Sequence, residues 1–243
     1  MYASLCSLAK AVRKFWKAVS TQESDDAVQV LLDGRKLKTP GGNPMLLPKE
    51  HAGGALMVAG EWESVQKHLK SHGLTWTSIV SRAIDTFHDG DEREKAIDKL
   101  VAFLHRDTLC YHQDHPQTFV ELQEEHWKPL LQWARKRYDV EIAVTDGIFG
   151  IHQPDATVAR LRAEVASFSP LKLAAFEQAV LSSKSFLISL ALMERHINAQ
   201  QAATAALVEV LSQTKSWGFV EDGHDLDFEL IHQQLGAASC VLL

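Results

Sequence analysis

His112 and His115 stand three apart with Asp114 between them, and His68 and His72 stand four apart. Two imidazoles at the second spacing share one helix face, and such a pair with a carboxylate could hold a metal that activates water. That chemistry would make the chain a histidine/aspartate metal-dependent hydrolase. Neither pair sits in an HExxH pattern, and no third ligand lies close by in the sequence. Twelve histidines produce such spacings by chance, so the expectation is solvated surface histidines, with no metal and no cofactor. Other catalytic signatures are missing too. There is no P-loop, no GxGxxG and no GxSxG nucleophile elbow. Ser182, Ser183 and Ser185 fall in an apolar helical run, where small residues permit close helix packing. No residue is assigned a catalytic role, and the chain reads as no enzyme.

The cysteines offer little more. Cys6, Cys110 and Cys240 are far apart and form no CxxC pair, which argues against a disulfide framework or a thiolate zinc site and suits a reducing compartment. Cys240-Val241-Leu242-Leu243 has the form of a C-a-a-X box, the mark of a prenylated membrane-surface adaptor. No polybasic stretch or second lipidation cysteine precedes it, so chance is the better explanation.

A different kind of chemistry is concentrated in Trp217-Gly218-Phe219-Val220-Glu221-Asp222-Gly223-His224-Asp225. An aromatic is followed by a glycine break and then by crowded acids. Acids at the start of a helix are favoured by its dipole, which is the structural explanation. The functional one is an acidic docking edge for a basic partner surface, with Trp217, Glu221, His224 and Asp225 as its candidate residues.

Something must position that edge. Hydrophobic residues make up 46% of 243 and charged residues 23%, enough to bury a core. The formal charge of −6 lacks the basic footprint of a nucleic-acid binder. The longest apolar stretch, Phe186 to Met193, is short of the roughly 20 residues a membrane span requires, so it reads as a buried helix and no stable membrane insertion is expected. Before Glu23 the chain carries Lys10, Arg13, Lys14 and Lys17 and no acid, the character of a mitochondrial transit peptide.

Val28–Leu32, Asp33-Gly34 and Lys36–Thr39 form a strand, turn and strand signature, and Met45–Leu47 a third short strand. Helices are predicted over 49–66, 75–87 and through Ile97 to Leu104. A long helix is predicted over 117–138, with acids in its first turns, bases in its last and a bend at Pro129. Val140–Val144 reads as a short strand. Helices follow near 155–167, 170–195, 198–215 and 221–236. Trp62, Trp127 and Trp133 fall on apolar helical faces and are expected in the core. The division predicted is a possible targeting remnant over 1–11, an N-terminal domain over 12–90, a helical domain over 91–236 and a tail over 237–243.

Several runs, in order, carry a family resemblance. They are Phe15-Trp16-Lys17, Leu32 to Pro40 with Asp33 and Gly34, Leu47-Pro48, Glu61-Trp62, Asp107-Thr108, Cys110-Tyr111, Pro116, Glu121-Leu122-Gln123, Trp127, Pro129-Leu130, Trp133, Trp217-Gly218, Glu221 and His224-Asp225. Together they resemble the assembly chaperones of the mitochondrial ATP synthase alpha subunit, the assembly factor 2 family. Departures are His112 where arginine is common, Lys128 where an acid is frequent, and Val210-Leu211-Ser212 where the family is more acidic.

The resemblance implies an α+β fold, with a small N-terminal β-hairpin/helix domain followed by an all-helical C-terminal domain. It implies a molecular chaperone that binds unassembled F1 alpha subunit until the beta subunit joins. It places the protein in the mitochondrial matrix, or in the cytoplasm if the source is bacterial, as a monomer when free. Trp16, Asp33, Gly34, Trp62, Asp107, Tyr111, Gln123, Trp127, Pro129, Trp133 and Gly218 then read as structural motif residues.

Overall fold

The structure, a computed structural model, describes residues 13–70, 73–147, 150–218 and 224–242, and only the backbone of Ser216, His224 and Asp225. Lys10 and Cys6 lie outside the described residues, as does His72. The chain divides into two compact units, Met1–Ser81 and Arg82–Leu243.

The first unit is built on strand β2 (Ala27–Leu32), whose alternating Val28, Val30 and Leu32 are buried. β1 (Val19–Glu23) pairs antiparallel along one edge of β2, with Val19 opposite Leu32. On the other edge β3 (Arg35–Lys36) pairs near the end of β2 and β4 (Leu46–Pro48) near its start. The turn between β2 and β3 has positive φ at both Asp33 (48°) and Gly34 (75°), as a two-residue hairpin of primed type requires. The Asp33 carboxylate accepts hydrogen bonds from the amides of Lys17 and Ala18, which hold it below the ordinary carboxylate range and tie the start of β1 to the turn. Sequence patterning misses β1, because Val-Ser-Thr-Gln-Glu has no apolar alternation to betray it.

Helix α1 (Ala52–Ser64) covers the sheet. Its Glu61 carboxylate accepts from the amides of Trp76 and Thr77, at 2.7 and 2.8 Å, and so caps the start of α2 (Thr75–Asp85). Trp16 donates its indole N–H to the Trp62 carbonyl, and Trp62 donates its own to Thr77. Trp16 is buried, whereas Trp62 is only half-buried, a correction to its expected place in the core.

The second unit is helical. α8 (Phe186–Met193) is buried at all eight positions, as a helix that is apolar all round must be. α5 (Lys128–Tyr138), α7 (Pro170–Ser183) and α9 (Ala199–Ala206) pack against it. α11 (His224–Ser239) lies on α7 and α9, α3 (Gly90–Val101) on α6 (Asp155–Ala166), and α4 (Gln117–Leu122) on α10 (Val208–Trp217). A small antiparallel sheet with many helices is the α+β class expected.

Three predicted continuous helices are interrupted, and the one over 198–215 parts at Leu207 into α9 and α10. Between α4 and α5, residues Gln123–Trp127 form a π turn in which the Lys128 amide reaches back to the Gln123 carbonyl. Pro129 has no amide to offer and its ring crowds the preceding carbonyls, so the wider turn just before it takes up the expected disruption. Between α7 and α8 the chain passes through Lys184 at φ 58°, and Ser185 starts a new helix as its N-cap. The serine run is therefore a helix boundary rather than a packing stripe.

Val140–Val144 forms no strand; the nearest pairing is an isolated bridge between Tyr111 and Thr145. Its backbone is bonded by a side chain. Gln153 accepts from the Ala143 amide at 2.9 Å and donates to the Ala143 carbonyl at 3.0 Å, imitating a strand neighbour. Gln123 clamps the backbone of Gln113 in the same way, at 2.9 and 2.8 Å.

Candidate functional site

Trp217 is the last residue of α10 and is 82% exposed. Gly218 follows at φ 86°, a conformation that lets the chain leave the helix and that a side chain would strain. A large aromatic left in water at a helix end is the informative exception to apolar burial. Trp217 stands at a cleft of about 320 Å³ whose floor and walls include Pro116, Phe119, Glu209, Ser212 and Gln213. Glu209, Ser212, Gln213 and Trp217 follow one face of α10, at helical spacing.

The opposite wall is α4 with the turn before it. Phe119 is 7% exposed and meets the ring of Trp127 edge-on, with centroids 5.6 Å apart. Trp127 is 2% exposed and donates its indole N–H to the Ala205 carbonyl at 2.7 Å, which fastens the π turn to α9. Thr118 and Ser212 share a hydroxyl hydrogen bond of 3.2 Å between the walls. Gln123 fixes the loop at Gln113 as described. The cleft is thus supported by hydrogen bonds on both sides, a preformed rather than a collapsible hollow.

Of the four residues assigned to the docking edge, Trp217 alone has a described side chain. Glu221 lies outside the described residues, and of His224 and Asp225 the structure describes the backbone, at the start of α11. Charges with described positions on these elements are Glu209 and Lys215 on α10, Glu121 on α4, and Asp114 beside His115 in the loop before it. The His115 ring bonds the Asp114 carboxyl at 2.5 Å and holds it below the usual carboxylate range.

His112 and His115 do not converge. His112 Nε2 lies 3.0 Å from the Leu109 carbonyl, while His115 is out in solvent with Asp114. Among the described residues no group of three or more histidine, cysteine, aspartate and glutamate side chains is placed to hold a metal. Cys240 opens a short turn in which Val241 is buried and which packs on α7. No described helix is long and apolar enough to cross a membrane.

Three of the motif residues, Asp107, Tyr111 and Trp133, make contacts within the second unit. Asp107 is fully buried and caps α8 together with Ser185. The Tyr111 hydroxyl donates to the His105 carbonyl and accepts from the Ile151 amide. Trp133 is half-buried and stacks on His196 with centroids 4.7 Å apart, again a correction to a core position. Burial against this ring lowers the His196 pKa. The cleft residues Glu209, Ser212 and Gln213 escaped sequence reading because polar residues at helical spacing look like an ordinary solvated face. Nothing local announces that α4 packs beside them.

Comparison with known proteins bears on this arrangement. The model of the family described as ATP12 chaperone protein matches residues 13–135. The chain is 34% identical over 238 residues to "Protein atp12, mitochondrial" of Schizosaccharomyces pombe, covering 95% of this chain and 81% of that protein. It is 26% identical to "Protein ATP12, mitochondrial" of Saccharomyces cerevisiae, covering 96% and 84%. The crystal structure of Atp12 from Paracoccus denitrificans superposes with a TM-score of 0.79 at 29% identity, covering 95% of this chain and 96% of that one.

Proposed function

Since the chain belongs to the ATP12 chaperone family, we propose that it binds the unassembled alpha subunit of the F1-ATPase and shields it until the beta subunit arrives. An alpha subunit waiting for its partners exposes apolar surface that later becomes an interface, and such patches aggregate. A transient cover of ~1,200–2,000 Å² would bind well enough to protect and weakly enough to be displaced. The chaperone makes and breaks no covalent bond in this role and acts as a monomer when free.

The observation that carries the reading is Trp217, 82% exposed beside a preformed cleft in the segment where the family resemblance has its C-terminal motif. Exposed tryptophans with a pocket beside them are the residues that dominate binding energy at protein interfaces. Glu221, His224 and Asp225 supply the polar rim. Names of the yeast relatives support a mitochondrial site of action, and we place the protein in the matrix, or in the cytoplasm for a bacterial source.

The test is capture of isolated alpha subunit from matrix extract and its maintenance in solution. Glu221→Lys, folded as judged by its melting curve, should lose capture. Normal capture by that variant would remove Glu221 from the edge. Failure of the unaltered chain to keep alpha subunits soluble would sink the whole reading.

A further inference from the structure

The cleft beside Trp217 has properties that specify what it holds. Its volume of about 320 Å³ is at the low end of the ~300–1,000 Å³ typical of small-molecule sites, which suits a side chain better than a nucleotide. Phe119, Pro116 and the Trp217 ring give it apolar surface. Its lining carries one charged side chain, the carboxylate of Glu209. Glu209 is on the lining face of α10 and Asp114 is exposed in the loop before α4, while Glu121, two residues on from Phe119, is turned round α4 from the lining face. The bases on these elements are His112, whose Nε2 lies 3.0 Å from the Leu109 carbonyl, His115, paired with Asp114, and Lys215, which helical geometry sets well round α10 from the lining face. The walls are tied to each other through Thr118 and Ser212, and the loop is clamped by Gln123, so little ordering cost attends occupation.

We propose that this cleft seats one apolar side chain of the bound polypeptide, with a lysine or arginine of the same segment engaging Glu209 at the rim. The inference rests on the reading that the chain is a polypeptide-binding chaperone, and adds a sequence preference to it. The occupant is an apolar residue flanked by a base, presented by a segment of the F1 alpha subunit. Trp217 packs over the apolar part and Glu209 selects the charge. Rim charges govern recognition and encounter more than they add raw affinity, so the preference weakens as salt is raised.

The experiment uses the full chain, the variants Glu209→Lys and Gln213→Trp, and two probes. The first probe is isolated F1 alpha subunit; the second is an array of overlapping peptides spanning it. Both substituted positions are exposed, and melting curves establish that the fold is kept. Peptides captured by the unaltered chain should share an apolar residue beside lysine or arginine. Glu209→Lys should weaken their binding at least ~10-fold, and Gln213→Trp, which fills the cleft from its outer wall, should abolish it. Intact alpha subunit should follow the same order. If the unaltered chain captures alpha subunit and both variants capture it equally well, the cleft proposal is overturned while the chaperone reading stands. If the unaltered chain captures no alpha subunit, the chaperone reading falls, and the array alone decides the cleft. Basic-apolar peptides lost on both substitutions support it, and capture without that preference, or none, overturns it.

Discussion

The hydroxyl of Ser185 donates to Asp107 Oδ1 at 2.6 Å, joining residues 78 positions apart where neither is reached by water. Asp107 also accepts from the amides of Leu109, at 3.0 Å, and Leu187, at 2.9 Å. Ser185 in turn accepts from the Ile188 amide. The pair therefore satisfies donors at the start of α8, the most buried helix of the second unit, and stops the helix of α7 from running through.

Burial pushes the Asp107 carboxyl from 3.8 up to about 6, against the pull of these hydrogen bonds. Between those values the folded state binds its proton more tightly than the unfolded chain does. Its contribution is therefore greatest below the unfolded value and is lost as pH rises through 6, by about 2–3 kcal/mol in all. Asp107→Asn has no such proton to lose. Chemical denaturation of both proteins from pH 4 to 7 should show the stability difference, unaltered minus variant, falling as pH rises. Parallel curves would mean that Asp107 is ionised throughout.

Gln153 tests whether a side chain truly replaces a strand. It is 1% exposed, and both halves of its amide are used on Ala143. Gln153→Glu can still accept from the Ala143 amide but cannot, when ionised, donate to the carbonyl, and it brings a buried charge. The loss should be about 2–4 kcal/mol at neutral pH. Gln153→Met leaves both backbone groups unpaired without adding charge and should cost about 1–3 kcal/mol. Urea midpoints rank the three proteins. Equal midpoints would show that 141–144 needs no such partner.

These two residues also mark where the sequence stops being readable. The hairpin at Asp33-Gly34 was legible because turn chemistry is local, and α8 because its apolar run is unbroken. Val140–Val144 reads as a strand because its composition favours one, and its Ala143 backbone is indeed paired, by a side chain instead of a strand. What sequence cannot show is that a distant glutamine supplies the pairing. The α7–α8 break was likewise invisible, because a lysine in the left-handed region carries no local sign and the cap that stabilises it comes from Asp107. At the candidate site Trp217 was legible as an aromatic beside a helix-ending glycine. The cleft next to it was not, since it exists only through the packing of α10 on α4.

Gly34 isolates the turn's backbone requirement. A Cβ there would meet nothing within 4 Å, so substitution is opposed only by its φ of 75°. Gly34→Ala should cost about 1–2 kcal/mol. Gly34→Asn should cost visibly less, because asparagine tolerates the left-handed region. Thermal melting of the three proteins separates these outcomes. Equal losses for alanine and asparagine would point to some contact other than the backbone angle.

Trp217 makes the sharpest separation between fold and function. With 82% of it in water, the ring contributes little burial to the native state. Trp217→Ala should therefore change stability by no more than about 0.5 kcal/mol. At an interface the same truncation removes a large, rigid contact, and losses of ~2 kcal/mol or more are usual for such an anchor. That corresponds to about a 30-fold rise in Kd for the alpha subunit. Trp217→Phe keeps an aromatic surface over the cleft and should recover part of the affinity. Titration calorimetry with isolated alpha subunit, alongside melting curves, reads both quantities on the same preparations. A variant that melts many degrees lower would assign the tryptophan to the fold. One that melts normally and binds normally would leave the cleft without its wall, and the docking edge would have to lie elsewhere on the molecule.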